Sequence, residues 1–394
     1  LGLLSSFSAL QLSSSSGGIN LVLRFLTAGE SHGKALTAVL EGLPAGLPLS
    51  EEDIHPQMAR RQAGYGRSVR MKLEADRVEI VSGLMGGQTI GGPLALRIEN
   101  RDVRENEPPL TRPRPGHADL VGAMKYGLTD VRRALERASA RETAARVAVG
   151  AVCRRLLGEF GVTIFSHVIE IGGIGVRNRP QRWEEIPDIA EASELRCVDA
   201  EADEQMRTAI EDAKKRGDTL GGVFEVVALG VPPGLGSYVH WDRKLDARLA
   251  QAVMSIPAIK GVEIGPGFDL ARSSGLQAHD EIMYERGQGF HRDTNRAGGT
   301  EGGVTTGGPL VIRGAMKPLS TLMAPLQSVD IATKESIKGA VVRSDVCAVP
   351  AAGVVGEAMV AYVVADAFLE KFGADALSDM RVAYDAYKRR LAEM

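Results

Sequence analysis

The chain contains its own pattern twice. "EGLPAGL" (Glu41–Leu47) and "LGVPPGL" (Leu229–Leu235) share Gly-x-Pro-x-Gly-Leu. "VEIVSG" (Val78–Gly83) returns as "VEIGPG" (Val262–Gly267), and "GGQTIGGPLALR" (Gly86–Arg97) as "GGVTTGGPLVIR" (Gly302–Arg313). The three pairs keep their order. Their spacing widens only at the last pair, where the second copy carries an insertion between Gly267 and Gly302. One match could be chance; three in order argue for a duplication.

Each half reads strand, Gly/Pro turn, helix, strand, Gly-rich turn, strand. "ALTAVLEGLPAG" and "FEVVALGVPPG" are strands that run into turns. "EEDIHPQMARRQ" and "WDRKLDARLAQAVMS" carry helical spacing at corresponding places. Strands in such short succession favour antiparallel pairing, with helices packed against one face. The expected class is therefore α+β with two related halves. No linker divides the halves, so residues 23–394 are expected to form one domain. Between the copies, Val131, Leu135 and Ala138 mark one helical face and Ala145, Val149, Val152 and Leu156 another. Ser139-Ala-Arg-Glu142 reads as a capping box at the break, with free N–H groups beside Arg137 and Arg141 that suit an anion.

Composition narrows the function classes. A 44% hydrophobic, 25% charged chain is that of a soluble globular protein, and a net charge of −3 gives no general pull toward nucleic acid or an acidic membrane. Cys153, Cys197 and Cys347 are too few and too scattered for a disulfide framework or a zinc site, which fits a reducing, cytoplasmic setting. Residues 1–22, rich in Ser and Leu and uncharged, read as a disordered leader or upstream extension. Val346–Phe368 is apolar but interrupted by Pro350, Glu357 and Asp366, and reads as a loop followed by a buried helix.

Two histidines sit in glycine turns, His32 in "AGESHG" and His117 in "RPRPGHADL". Arginines cluster nearby: Arg60, Arg61, Arg67 and Arg70 surround Gly64-Tyr65-Gly66, and Arg112 and Arg114 alternate with prolines. Forked guanidiniums match phosphate and carboxylate, at about 1.5–3 kcal/mol per charge-assisted bond. The ligand this suggests is a small polyanion. Neither a P-loop nor a strand-linked Gly-x-Gly-x-x-Gly is present, nor a nucleophile elbow. No histidine pair has metal-ligand spacing, so no metal is expected. His55, His167, His240, His279 and His291 lack comparable surroundings and read as structural or surface residues.

"LTAGESHG", "RRQAGYGRSVRM", "RPGHADL", "LERASARET", "EGGVTTGGPL", "MKPLST" and "RSDVCAVPAAGVV" resemble, in order, the signature motifs of the chorismate synthase family. The resemblance runs from Leu23 to the C-terminal helix. It implies an internally duplicated β-α-β sandwich, a homotetramer, and a lyase reaction. In that reaction 5-enolpyruvylshikimate 3-phosphate loses phosphate and a C6 hydrogen by 1,4-anti elimination to give chorismate, the last step of the shikimate pathway. Reduced FMN is needed without net redox change.

By motif, the resemblance makes His32 the acid for the departing phosphate and His117 a proton donor to the reduced flavin. Asp345 becomes the carboxylate that helps remove the C6 proton, with Ser31 and Ser139 orienting these groups. Arg61, Arg67, Arg70 and Arg141 would hold substrate anions, and Arg61 and Arg67 also match positions associated with NADPH. The FMN-binding segments match Arg137, Ala138 and Ser139; Pro257 and Ala258; Gly302; Lys317, Pro318, Leu319, Ser320 and Thr321; and Arg343. Pro257 stands where an amide side chain is common, and Val103 where an aromatic is. With no extra nucleotide-binding segment, the monofunctional form is expected, supplied by an external flavin reductase or another source of reduced flavin. Alternatives are a bifunctional form with its own NADPH-dependent flavin reductase, or a non-catalytic flavin or phosphosugar-binding relative. Loss of His32, His117 or Asp345 would mark the latter, and all three are present. An RNA-binding use of "GYGRSVR" conflicts with the acidic charge and the 5% aromatic content.

Overall fold

Two threonines carry the duplication down to single hydrogen bonds. The Thr89 hydroxyl donates to the Pro44 carbonyl (2.6 Å) and accepts from the Leu47 amide (2.9 Å). Thr305 does the same with Pro232 (2.7 Å) and Leu235 (2.8 Å). The computed structural model describes residues 23–67, 76–104, 107–287, 289–341 and 345–394. In it each threonine ends a short hairpin, Leu84–Met85 with Gln88–Thr89 and Thr300–Glu301 with Val304–Thr305, and ties it to the Gly/Pro turn of its own half. Both hydroxyls thereby satisfy buried turn groups. The leader, Arg70 and Arg343 lie outside the described residues.

The first half contains β1 (Arg24–Ala28), β2 (Ala35–Glu41), α1 (His55–Gln62), β3 (Val78–Ser82) and β4 (Leu94–Glu99), then α2 (Asp119–Tyr126), α3 (Arg132–Ala138) and α4 (Thr143–Gly158). The second contains β5 (Thr163–Ile171), α5 (Ile186–Ala192), α6 (Ala200–Lys215), β6 (Gly222–Leu229), α7 (Leu245–Met254), β7 (Ile259–Ile264), β8 (Leu310–Met316), α8 (Val349–Phe372) and α9 (Leu377–Ala392). The sheets run β1-β2-β4-β3 and β5-β6-β8-β7, antiparallel throughout, the second with a short extra strand at Ile174–Gly175. Register is repeated as well: Leu40 faces Leu94 as Ala228 faces Leu310, and Glu79 faces Arg97 as Glu263 faces Arg313.

Alternation puts Leu36, Ala38 and Leu40 of β2 and Leu94, Leu96 and Ile98 of β4 on the buried face. Between the sheets lie α1, α4, α7 and α8, so the chain is an α+β sandwich of sheet, helices and sheet. The equivalent helices α4 and α8 meet at its centre. A Cβ on Gly150 would lie 2.3 Å from the Ala358 Cβ and 2.4 Å from its Cα, so glycine is what lets the helices come this close. α8 is long and apolar enough to cross a membrane, but 94% of its apolar window is buried inside the protein. A helix apolar all round is a core helix here.

The two acids in that helix are both engaged. Asp366 accepts from the Leu23 amide (2.7 Å) and pairs with Arg248 of α7. Glu357 binds Arg60 (2.7 and 2.8 Å), Ser166 (2.7 Å), Arg154 and Arg196. Burial favours the neutral acid, yet these guanidiniums hold the Glu357 pKa down to about 2. Glu225 is likewise held at about 2 against burial, by His167, Arg179 and Arg313. His167 is thus a core residue.

The reciprocal capping box expected at Ser139 does not form. Ala140–Glu142 is a 3-10 turn in which the Ser139 hydroxyl accepts from the Arg141 amide (3.3 Å). Glu142 instead accepts from Thr27 (2.8 Å) and Arg146 (2.9 Å). Tertiary partners outbid the local one because Glu142 is buried beside them.

Gly150→Ala should lower the unfolding free energy by about 1–3 kcal/mol in urea titrations. Gly158→Ala, in the same helix with open space around it, should leave stability unchanged or raised; equal effects would refute the close crossing. Glu357 and Glu225 have folded pKa values below the usual 4.5, so their stabilisation is complete above 4.5 and lost as pH falls toward about 2. Urea midpoints should decline across that window, and Glu357→Gln should flatten the decline while lowering stability at neutral pH. An unchanged slope would contradict the assignment.

Candidate active site

Gly29 turns the chain back at the end of β1. Its φ is +110°, and a Cβ would sit 2.4 Å from the Ala35 carbonyl oxygen, so no other residue fits without distortion. Asn100, at the end of β4, pins the turn by donating to the carbonyls of Glu30 (3.0 Å) and Gly33 (2.8 Å). Glu136 of α3 holds its tip. The Glu136 carbonyl accepts from the Ser31 amide (3.1 Å), and the carboxylate accepts from the His32 amide (2.8 Å) and bonds His32 Nδ1 (2.8 Å). Burial opposes ionisation of Glu136, but the bonds from His32 outweigh it and keep its carboxyl below the ordinary value. Asp102 stands 3.7 Å from His32 Nε2.

His117 is built the same way. Its Nδ1 lies 2.5 Å from Asp119, which also accepts Arg114 Nε (2.9 Å) and Nη2 (3.1 Å). Asp119 is fully buried; burial alone would neutralise it, but His117 and Arg114 keep its carboxyl well below the usual range. The remaining Arg114 nitrogen donates to Thr321 (2.8 Å), which joins this loop to the strand end after β8. In both pairs a carboxylate engages Nδ1, so Nε2 is the nitrogen available for proton exchange.

The arginines are positioned by a third carboxylate. Asp76, buried, pairs with Arg61 (3.3 Å) and Arg141 (2.5 Å). Arg61 also donates to Thr143 (3.0 Å) and the Ala140 carbonyl (3.1 Å), which commits three of its five N–H groups. Burial, with Arg141 and Arg67 nearby and Asp76 opposing, brings its pKa down to about 10. Arg67 pairs with Asp345 (2.9 Å), while its buried Nε has no hydrogen-bond partner among the described residues. Ser139 donates to Ser31 (3.2 Å). Burial and Lys260 lower the Lys317 pKa.

These groups surround one cavity of about 500 Å3, within the range of small-molecule sites. Its wall includes Ser31, His32, Arg61, Arg67, His117, Ala138, Ser139, Arg141, Pro257, Ala258, Lys317, Leu319, Ser320, Thr321 and Asp345, every one of them expected from the sequence. Three expected residues do not line it. Arg137 turns to the Thr27 carbonyl (3.0 Å) and hydroxyl (2.9 Å), because α3 ends at Ala138 with Arg137 on its outer side. Pro318 offers its carbonyl to Lys317 (3.4 Å). Gly302 occupies the hairpin turn equivalent to Gly86, both at φ +59°. Arg60, grouped with the others in sequence, points into the helix layer at Glu357. The sequence reading missed Glu136, Asp76 and the apolar floor of Ala351, Ala352 and Val355 at the start of α8. Asp119, two residues beyond His117, was visible in the motif but not singled out.

Two carboxylate-held imidazoles in a basic, half-enclosed cavity define an enzyme equipped for proton transfer on a small anionic molecule. The chain belongs to the chorismate synthase family, whose model matches residues 23–369, and is a lyase of that family. It is 56% identical over 386 residues to the chorismate synthase of Aquifex aeolicus, covering 93% of this chain and 97% of that protein. Identity to the chorismate synthase of Geobacter sulfurreducens is also 56%, covering 93% and 98%. A crystal structure of chorismate synthase superposes with a TM-score of 0.80 at 48% identity, covering 94% of this chain and 99% of that one.

Asp76→Asn should destabilise the protein by about 3–5 kcal/mol in urea titrations, because it leaves two buried guanidiniums short of a counter-charge. Parent-like unfolding would show that Asp76 does not set the arginines.

Proposed function

We propose that this cavity converts 5-enolpyruvylshikimate 3-phosphate to chorismate. The observation that carries the reading is convergence: the turn after β1, the loop before α2, the turn between α3 and α4, the segment after β8 and Asp345 all reach one cavity. The substrate's phosphate and carboxylates match cations already aimed there, with Arg67 and Arg141 as the partners and the uncommitted Arg67 Nε as an open donor. Arg61, largely spent on protein acceptors, acts mainly by holding the wall.

His32 donates its Nε2 proton to the leaving phosphate as the C–O bond breaks. Asp345, next to Arg67, takes up the proton from C6, and the electrons of that C–H bond become the new double bond. Ser31 and Ser139, bonded to each other, orient this end of the site. His117 would hold a proton at Nε2 on the side of the cavity that a bound flavin would occupy. A bound reduced FMN would supply transient electron density to the elimination without net redox change. Ala138, Ser139, Pro257, Ala258, Leu319, Ser320 and Thr321 would hold it. The fit rests on Lys317, whose ammonium is partly buried and has no carboxylate within ion-pair distance among the described residues, so a phosphate suits it.

We further propose a cytoplasmic homotetramer that draws reduced flavin from an external reductase. Leu120, Val121 and Met124 of α2 are exposed directly after the His117 loop, which supports burial against another copy.

Anaerobic phosphate release from the substrate with photoreduced FMN tests the reading. The parent should release phosphate, and His32→Ala and His117→Ala should each lose about 10²–10⁴-fold in rate. Parent-like rates in both variants would sink the site assignment; parent activity in air with NADPH and FMN alone would overturn the need for an external reductase.

A further inference from the structure

Two carboxylates face the His32 ring, and the geometry separates their roles. Asp102 is 3.7 Å from Nε2 and is already gripped by the Arg104 fork (2.9 and 2.8 Å). Glu136 lies 2.8 Å from Nδ1, and no guanidinium is within hydrogen-bond distance of it among the described residues. At 2.8 Å against 3.7 Å, and with no guanidinium hydrogen-bonded to it among the described residues, Glu136 is the stronger partner of the ring. The same carboxylate also accepts the His32 backbone N–H, so one side chain fixes both the ring and the peptide that carries it.

We infer that Glu136 is the positioning residue for His32: it keeps the proton on Nδ1, prevents the ring from flipping, and leaves Nε2 as the nitrogen that gains and loses the working proton. An ionised carboxylate can only accept, so the ring nitrogen facing it must donate. The inference rests on His32 being the acid of the proposed reaction. A second cavity of about 350 Å3 also has His32 and Glu136 in its wall. The other charged groups in that wall are Glu30, Lys34, Arg104, Glu107 and Arg132. On the substrate side Arg67, Arg141 and Asp345 share the main cavity with His32. Arg132 is ion-paired with Glu107 and Arg104 with Asp102, and both also act on Glu136 through space, but Glu136 is the carboxylate in hydrogen-bond contact with the imidazole.

Glu136→Gln inverts the contact. Its amide oxygen can still accept the His32 backbone N–H, but its NH2 group donates to Nδ1 and drives the ring proton to Nε2. Two readouts separate the inference from the reading beneath it. Nitrogen-15 NMR of [15N]histidine-labelled enzyme, with His32→Asn to assign the signal, should show Nδ1 protonated in the parent and the proton moved to Nε2 in Glu136→Gln. Unchanged nitrogen signals would overturn the inference whatever the activity. In anaerobic phosphate release with photoreduced FMN, Glu136→Gln should lose about 10²-fold in kcat with little change in KM. The alkaline limb of its pH profile should move to lower pH, and Glu136→Asp should recover part of both. A Glu136→Gln enzyme with parent kcat and pH profile, beside an inactive His32→Ala, would refute the inference while sparing the reading. An active His32→Ala would sink the reading, and the nitrogen signals would still decide whether Glu136 sets the tautomer.

Discussion

The close crossing of α4 and α8 is the constraint on which the rest depends. They are the same helix of the two repeats, and Gly150 lets the Ala358 backbone approach to where a side chain would otherwise stand. With the helices in contact, the turn leading into α4 (Ala140, Arg141, Thr143) and the start of α8 (Ala348, Ala351, Ala352) open on one cavity. The sheets flanking them bring their own loops to the same end. A pseudo-symmetric frame thus yields an asymmetric site, because the loops diverged while the strand registers did not.

Buried carboxylates convert this frame into a site of defined geometry. A lone guanidinium or imidazole taken out of water would shift its ionisation or swing toward solvent. Asp76 holds Arg61 and Arg141 in place, Asp119 holds Arg114 and His117, and Glu136 holds His32. Asp119 and Glu136 are in turn held ionised by the groups they fix, so acid and base depend on one another. Glu357 applies the same logic away from the cavity, where three arginines anchor the central helix.

Most of the fold was legible in the sequence because the duplication left long matching strings and because strand alternation survives on one buried face. The site was legible in its histidines, serines and Gly/Arg turns, whose local composition is distinctive. What escaped was partnership across distance. Glu136 sits 104 positions from His32, and nothing local marks it among the charges of α3. Arg60 and Arg61 are neighbours in sequence, yet one helical step turns the first to Glu357 and the second to Asp76. Gly302 belongs to a family motif and to the repeat at once, and shares its backbone angle with Gly86. The capping box at Ser139 obeyed a local rule that Thr27 and Arg146 overrode.

The central claim is that one cavity at the meeting point of the two repeats binds the substrate with its phosphate at His32. A crystal structure of the enzyme with 5-enolpyruvylshikimate 3-phosphate and oxidised FMN tests it most directly. The account predicts a phosphate oxygen within hydrogen-bond reach of His32 Nε2, about 2.6–3.2 Å, and a carboxylate of the substrate on the arginine wall. A substrate phosphate seated away from His32, or bound outside this cavity, would contradict it.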